Sequence, residues 1–117
     1  MSLRGTNREV GEIGVIDFSG AITLGDGTAT LRRMVRELVQ KGYRKILLNL
    51  GEVDYIDSAG LGELVSAHAT VRNARGDMKL LQPNKHVRDL IQITRLFTVF
   101  DVQPNEAAAI RSFTTTA

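Results

Sequence analysis

The residues best placed to do chemistry lie together at 54–64, "DYIDSAGLGEL". Asp57 stands directly before the hydroxyl of Ser58, and glycines follow at positions 60 and 62. The stretch falls where an apolar strand gives way to a helix. One explanation is structural: Asp57 or Ser58 is an N-cap, its side-chain oxygen accepting from first-turn N–H groups. No capping box completes it, because Gly60 and Leu61 stand three residues after Asp57 and Ser58. Two glycines in the opening turns each cost up to about 1 kcal/mol relative to alanine. Capping leaves them unexplained, and glycine at such places points to close backbone approach or to open access. On the residues alone, a cap and a functional hydroxyl both stand.

Few groups could make Ser58 a nucleophile. The histidines are His68 and His86. His68 lies ten residues along the helix, roughly 15 Å along its axis and beyond hydrogen-bond reach, so it is expected to be a packed helix residue. His86 begins a later helix, and its geometry relative to Ser58 does not follow from spacing. "GLGELV" has part of a dinucleotide fingerprint, but Val65 stands where the third glycine belongs. There is no GxxxxGK[ST] loop, no His/Asp set at metal-ligand spacing and no established carboxylate pair. With no cysteine in the chain, disulfides and thiolate metal sites are excluded. The expectation is a protein that is not an enzyme and carries no cofactor or metal. A phosphoacceptor fits Ser58 better. A phosphate there would meet the free N–H groups and positive dipole end of a helix. Its charge of about −2 beside Asp57 would repel an acidic or apolar partner without refolding the domain. Gly60 and Gly62, lacking β-carbons, would let a kinase or phosphatase cleft approach.

The elements that hold this stretch can be read from periodicity. "TNREV", a turn at Gly11-Glu12 and "IGVIDFSG" form an opening hairpin, its second strand running from Ile13 to about Ser19. The Gly/Thr-rich "SGAITLGDGTAT" leads to a helix beginning near Thr28 to Thr30 and stopping at Gly42. Leu31, Met34, Val35, Leu38 and Val39 form its inward stripe. "KILLNL" is a continuous apolar run, as in a strand covered on both faces. A second helix runs from about Ala59 to Ala74, with Leu61, Leu64, Val65, His68 and Val71 on one face and Gly76 ending it. "MKLLQP" is a strand stopped by Pro83; Asn84 caps a third helix with Val87, Leu90 and Ile91 inward. "TVFDV" is the last strand, and "PNEAAAIRSF" a closing helix capped by Asn105. Strand–helix alternation after a hairpin predicts an α/β fold with a mixed, mostly parallel sheet of about five strands and about four helices. Ser58 lies just beyond a strand's carboxyl end, where such sheets collect ligands.

Composition narrows the function. The chain has 117 residues, 43% hydrophobic and 24% charged, with formal net charge +2 and only 5% aromatic residues. That is one domain over 1–117, with 1–5 and 114–117 expected to be flexible. Arg32, Arg33 and Arg36 read as a solvated helix face. The weak charge and scarce aromatics exclude direct nucleic-acid binding. No run approaches the roughly 20 apolar residues of a membrane span, and without an apolar leader the expected location is cytoplasmic.

"YIDSAGLGEL" resembles the signature of the STAS domain family, specifically of bacterial anti-sigma factor antagonists. The family pattern is Asp, the phosphorylated Ser, a small residue, Gly, an apolar residue and Gly. It falls without a gap on Asp57, Ser58, Ala59, Gly60, Leu61 and Gly62. The similarity continues through the hairpin, "SGAITL", "ILLNL" and the order of elements. The resemblance implies that the unphosphorylated protein binds an anti-sigma factor and so frees a sigma factor. That partner is often a serine kinase using Mg-ATP, and a serine phosphatase reverses the modification; ATP and metal belong to the kinase. Ser58 would be the acceptor and Asp57 would orient the loop or touch the partner. Many members carry an acid in the loop after the second strand, in a Gly-x-apolar-Asp pattern. Here it reads Gly20, Ala21, Ile22, Thr23, with Thr23 in the acid's place and Asp26 three residues on as a partial replacement. A weak homodimer is compatible with this reading. The alternative is the same fold as an accessory or scaffold subunit of a stress-signalling assembly or lipid transporter.

Overall fold

The computed structural model describes residues 2–114. Its elements are β1 (Leu3–Val10), β2 (Ile13–Ile22), α1 (Asp26–Gln40), β3 (Lys45–Ile56), α2 (Ser58–Asn73), β4 (Asp77–Leu81), α3 (Lys85–Ile93), a 3-10 turn (Leu96–Thr98), β5 (Asp101–Gln103) and α4 (Glu106–Thr114). The strands form one five-stranded sheet in the order β1-β2-β3-β4-β5. β1 and β2 pair antiparallel, and every other neighbouring pair is parallel. This is the α/β architecture that the alternating pattern predicts.

Side-chain alternation along the central strands divides the core. Ile16 and Phe18 of β2, and Ile46, Leu48 and Leu50 of β3, face one way, toward Leu31, Val35, Leu64, Val71, Val87 and Ile91 of α1, α2 and α3. Ile13, Val15 and Leu47 face the other way, where Ala109 and Phe113 of α4 cover them together with Leu81. Three helices therefore cover one face and a single short helix covers part of the other. Each fully buried aliphatic or aromatic side chain is worth about 1.5–3 kcal/mol, so most of the stability comes from the three-helix face.

Several boundaries differ from the sequence reading. β1 begins at Leu3, whose side chain is buried and whose backbone is in register with Gly20. Residues 3–5, expected to be flexible, are thus held in a strand. Its polar composition is that of a sheet edge, where charged residues discourage further pairing. β2 and β3 both run past their expected ends and finish level, Ile22 opposite Ile56. Beyond Asn49, β3 has no β4 residue beside it, which accounts for the polar "GEVDY". α1 starts at Asp26, ahead of Thr28, because the Thr28 hydroxyl accepts from the Gly25 N–H (3.2 Å) and donates to its carbonyl (3.1 Å). It does stop at Gly42, whose φ of 99° is left-handed. α2 ends differently: Arg75, not Gly76, takes the left-handed conformation. Gly76 is needed for packing, since a β-carbon there would lie 2.7 Å from the Arg44 carbonyl oxygen.

β4 comprises Asp77 to Leu81, and Gln82 turns out of it with φ 51°. Asn84 caps α3 by accepting from the Val87 N–H (3.1 Å), and Asn105 caps α4 by accepting from Ala108 (2.8 Å). "TVFDV" is not one strand. Arg95 is left-handed and Leu96–Thr98 coil into the 3-10 turn, so that Phe100 N–H donates to the Leu96 carbonyl (2.9 Å) and only Asp101–Gln103 pair with β4. Local turn bonds override the strand preference of Thr, Val and Phe. Of the tail expected to be flexible, Thr114 closes α4 and 115–117 lie outside the described residues.

The apolar hold on α4 centres on Phe113 and Ala109, with the cation of Lys79 4.7 Å from the Phe113 ring centre. Phe113→Ala is expected to lower unfolding stability by about 3–5 kcal/mol. Urea denaturation followed by circular dichroism checks this.

Candidate functional site

Because β2 and β3 end side by side, the residues that follow them, Thr23-Leu24 and Asp57-Ser58, emerge together. Asp57 joins the two exits. Its Oδ1 accepts from the Gly60 N–H (2.7 Å) and its Oδ2 from the Leu24 N–H (3.0 Å). Its own N–H donates to the Ile22 carbonyl (3.3 Å). Asp57 is therefore the N-cap of α2, and one carboxylate fixes both a helix start and the neighbouring loop. The N–H groups of Gly60, first, and of Leu24 hold its pKa below the usual carboxylate range.

That settles which residue caps. Ser58 is the first residue of α2, exposed, and its hydroxyl makes no hydrogen bond among the described residues. The helix start does not use it.

The two glycines have different causes. A β-carbon on Gly60 would come within 2.0 Å of the Ile22 carbonyl oxygen. Gly60 is there so that α2 can lie flush against the end of β2, which corrects the expectation that it opens a path for an enzyme cleft. Around Gly62 nothing lies within 4 Å of such a carbon; this glycine does leave open space. Leu61 is turned into the main core. Of the six motif residues, Ser58 and Gly62 are exposed, Asp57 and Ala59 half-buried, and Gly60 and Leu61 buried.

Across the loop, Thr23 is half-buried and its carbonyl accepts from the Thr28 N–H (3.1 Å). Asp26 is exposed in the first turn of α1. Leu24, which spacing did not single out, is 79% exposed and is bonded through its N–H to Asp57. Its signal in the sequence is a lone large apolar residue in a Gly/Thr-rich loop. Behind the site, Glu63 is 7% exposed and accepts from Arg32 Nη2 of α1 at 2.6 Å. Arg32, read from the sequence as a solvated residue, thus ties α1 to α2. His68 lies edge-on to Phe100, with ring centres 5.9 Å apart, and His86 stacks on Tyr55 at 5.3 Å. Neither ring is engaged with Ser58. The arrangement is an open patch around an unbonded hydroxyl, with an apolar side chain and a carboxylate beside it. It is suited to being docked upon.

Comparison with known proteins places this geometry. The sequence matches the STAS domain family over residues 6–109. BtrV of Bordetella bronchiseptica, named as an anti-sigma factor antagonist, is 35% identical over 77 residues, which cover 66% of each protein. The chain thus spans just under two thirds of that relative's length. Among solved structures, an anti-sigma factor antagonist from Mycobacterium paratuberculosis superposes with TM-score 0.84 at 19% identity, covering 95% of this chain and 93% of that one. The anti-sigma factor antagonist SpoIIAA in its unphosphorylated form superposes with TM-score 0.71 (16% identity, 97% and 100% coverage). The Bacillus cell fate determinant SpoIIAA in the phosphorylated form gives TM-score 0.71 as well (21% identity, 93% and 99% coverage). Among the described residues no helix is long and apolar enough to cross a membrane.

Two measurements separate the roles assigned above. Gly60→Ala is expected to destabilise by about 1–3 kcal/mol through overpacking. Gly62→Ala is expected to be neutral or stabilising by up to about 1 kcal/mol; thermal and urea melts compare them. The depressed Asp57 carboxylate adds stability that is complete above its unfolded pKa and is lost as pH falls through its native value. The stability difference between the parent and Asp57→Ala should therefore be constant near neutral pH and shrink on acidification, as read from urea midpoints across pH.

Proposed function

This chain belongs to the STAS domain family, and from that premise we propose that it is an anti-sigma factor antagonist switched off by phosphorylation of Ser58. The observation that carries the proposal is the Ser58 hydroxyl: it is exposed and unbonded at a helix start whose cap is already supplied by Asp57. A hydroxyl with no structural duty is free to be modified.

In the unphosphorylated state an anti-sigma factor docks over Ser58, Gly62, Leu24 and Asp26, with Thr23 and Ala59 at the edge. Leu24 supplies the apolar anchor, and Gly60 and Leu61 shape the patch from beneath. The captured anti-sigma factor releases its sigma factor. Where that partner is also a serine kinase, it brings Mg-ATP: the Ser58 oxygen attacks the γ-phosphorus, ADP leaves, and the hydroxyl proton passes to a base on the kinase. This chain contributes the acceptor and performs no catalysis. A serine phosphatase restores the hydroxyl by hydrolysis. All of these partners act in the cytoplasm.

The phosphate adds about −2 charge next to the ionised Asp57, in the middle of the docked surface. The Gly60 N–H is already donated to Asp57, so the new group displaces no bond that α2 depends on. The fold is matched by a SpoIIAA structure in the unphosphorylated form and by another in the phosphorylated form, each with TM-score 0.71, which supports a switch that leaves the fold in place. Thr23 in place of the family's usual acid leaves Asp26 as the carboxylate nearest in sequence to that position, at the start of α1.

The test is site-mapping mass spectrometry of the protein from its own cells, in growth and under stress. It is paired with binding of Ser58→Ala and Ser58→Asp to anti-sigma factors from the same organism. The expected result is one phosphate at Ser58 whose occupancy changes with condition, parental binding by Ser58→Ala, and binding weakened at least about tenfold in Ser58→Asp. Both variants should keep the parent's stability within about 0.5 kcal/mol. No phosphate at Ser58 in any condition, with parental binding by both variants, overturns the switch and leaves the accessory-subunit reading.

A further inference from the structure

Large apolar residues left in water are concentrated in one segment. Ile93 is 78% exposed, Phe97 50% and Val99 36%; elsewhere among the described residues only Leu24 and Tyr55 share this condition. Between α3 on one side and the 3-10 turn and β5 on the other runs a groove of about 820 Å³. Ile91, Phe97, Val99, Phe100 and Val102 make its apolar lining. An apolar concentration of this kind on a small domain marks an interaction site more often than chance scatter does.

The charges around the groove say what it fits. Lys85 is paired with Asp89 (2.8 Å), and Asp101 with Lys79 (3.2 Å). The guanidinium of Arg88 makes no hydrogen bond or ion pair among the described residues, and neither does that of Arg95, held left-handed just before the turn. With Lys85, Arg88 and Arg95 set against Asp89 and Asp101, the segment 85–103 carries an excess of positive charge beside an apolar trough. We propose that α3, the 3-10 turn and β5 form a second docking surface, which receives an acidic amphipathic segment of a partner protein. Such a segment would lay apolar side chains at i, i+3, i+4 and i+7 into the groove. Its carboxylates would meet Arg88 and Arg95, whose forked guanidinium groups suit bidentate pairing.

Other occupants fit less well. A two-fold dimer through this patch would set its excess positive charge against the same excess on the second copy, because such an interface uses the same surface twice. A bilayer favours a protruding apolar face, whereas this one is a trough with Asp89 and Asp101 along it. The surface shares no residue with the patch around Ser58, so it stands whether or not Ser58 is modified.

The experiment titrates the 15N-labelled full chain with a synthetic peptide of two to three helical turns, carrying Leu at i, i+3, i+4 and i+7 and Glu elsewhere. Its counterpart with Lys for every Glu, and phosphatidylglycerol vesicles, are titrated in parallel. Saturable amide shifts confined to residues 85–103 are expected with the Glu peptide. Phe97→Ser and Arg88→Glu, both at exposed positions, should each weaken binding about tenfold with the rest of the spectrum unmoved, and Ser58→Asp should change nothing. Any of four results overturns the proposal: no saturable shift, equal binding of the Lys peptide, shifts at 85–103 produced by vesicles but not by the Glu peptide, or shifts there that follow protein concentration without peptide.

Discussion

The Asp57 carboxylate holds together two chain segments that the sequence separates by more than thirty residues. One oxygen satisfies an orphan N–H at the start of α2, and the other satisfies the backbone of the loop that opens toward α1. The bond to Leu24 would not form if β2 and β3 ended at different heights. Ile22 opposite Ile56 sets that level, and Gly60, pressed against the Ile22 carbonyl, keeps α2 close enough for it to matter. The positions of Ser58, Leu24 and Gly62 are consequences of this one brace. Because the capping duty falls to the residue before it, the Ser58 hydroxyl is left unbonded among the described residues.

The sheet is covered unevenly, and the polar groups follow that unevenness. On the three-helix face almost every strand position is apolar. On the opposite face, Asp17 of β2 is bonded to Arg8 of β1 and to Asn49 of β3, and Arg8 reaches on to Glu106 of α4. Asp17 and Glu106 are both held below the usual carboxylate range, chiefly by their hydrogen bonds to Arg8. The three charges are each only partly exposed, so they work as a network rather than as isolated surface pairs, which contribute little. Glu63 and Arg32 do a related job between α1 and α2. There the carboxylate is almost wholly buried, and its partner is needed to keep it from being an unpaired charge in the core.

What could be read in the sequence was whatever depends on local pattern. "KILLNL", the stripe of α1 and the caps Asn84 and Asn105 declare themselves, because apolar spacing and capping chemistry act over a few residues. Ser58 was legible because its motif is contiguous. The rest depended on partners far away in the chain. The "TNREV" part of β1 reads as a strand, but residues 3–5 do not, since Arg4 and Gly5 carry no strand pattern of their own and are held only because β2 lies beside them. Gly60 and Gly62 look alike in sequence, yet one faces the carbonyl of Ile22 and the other faces open space. Arg75 and Gly76 trade roles for the same reason, the Arg44 carbonyl being the hidden neighbour. "TVFDV" failed because the left-handed Arg95 reverses the chain just before it. Leu24 carries no signal except being a leucine where glycine and threonine prevail.

The bond between Arg8 and Glu106 spans 98 positions of the chain, and it joins the first strand to the last helix. For a chain made from its amino end on a ribosome, this sets an order of events. β1, β2 and β3 can pair, and α1 and α2 can cover one face, while the carboxyl end is still unmade. The opposite face cannot be sealed: Ile13, Val15 and Leu47 wait for Ala109 and Phe113. Until α4 has emerged, the nascent domain is a sheet with one finished side and, on the other, a bare apolar patch beside the polar groups. Domains in that condition are the ones most exposed to wrong association during synthesis. α4, small as it is, therefore marks the point at which that face of the sheet is closed.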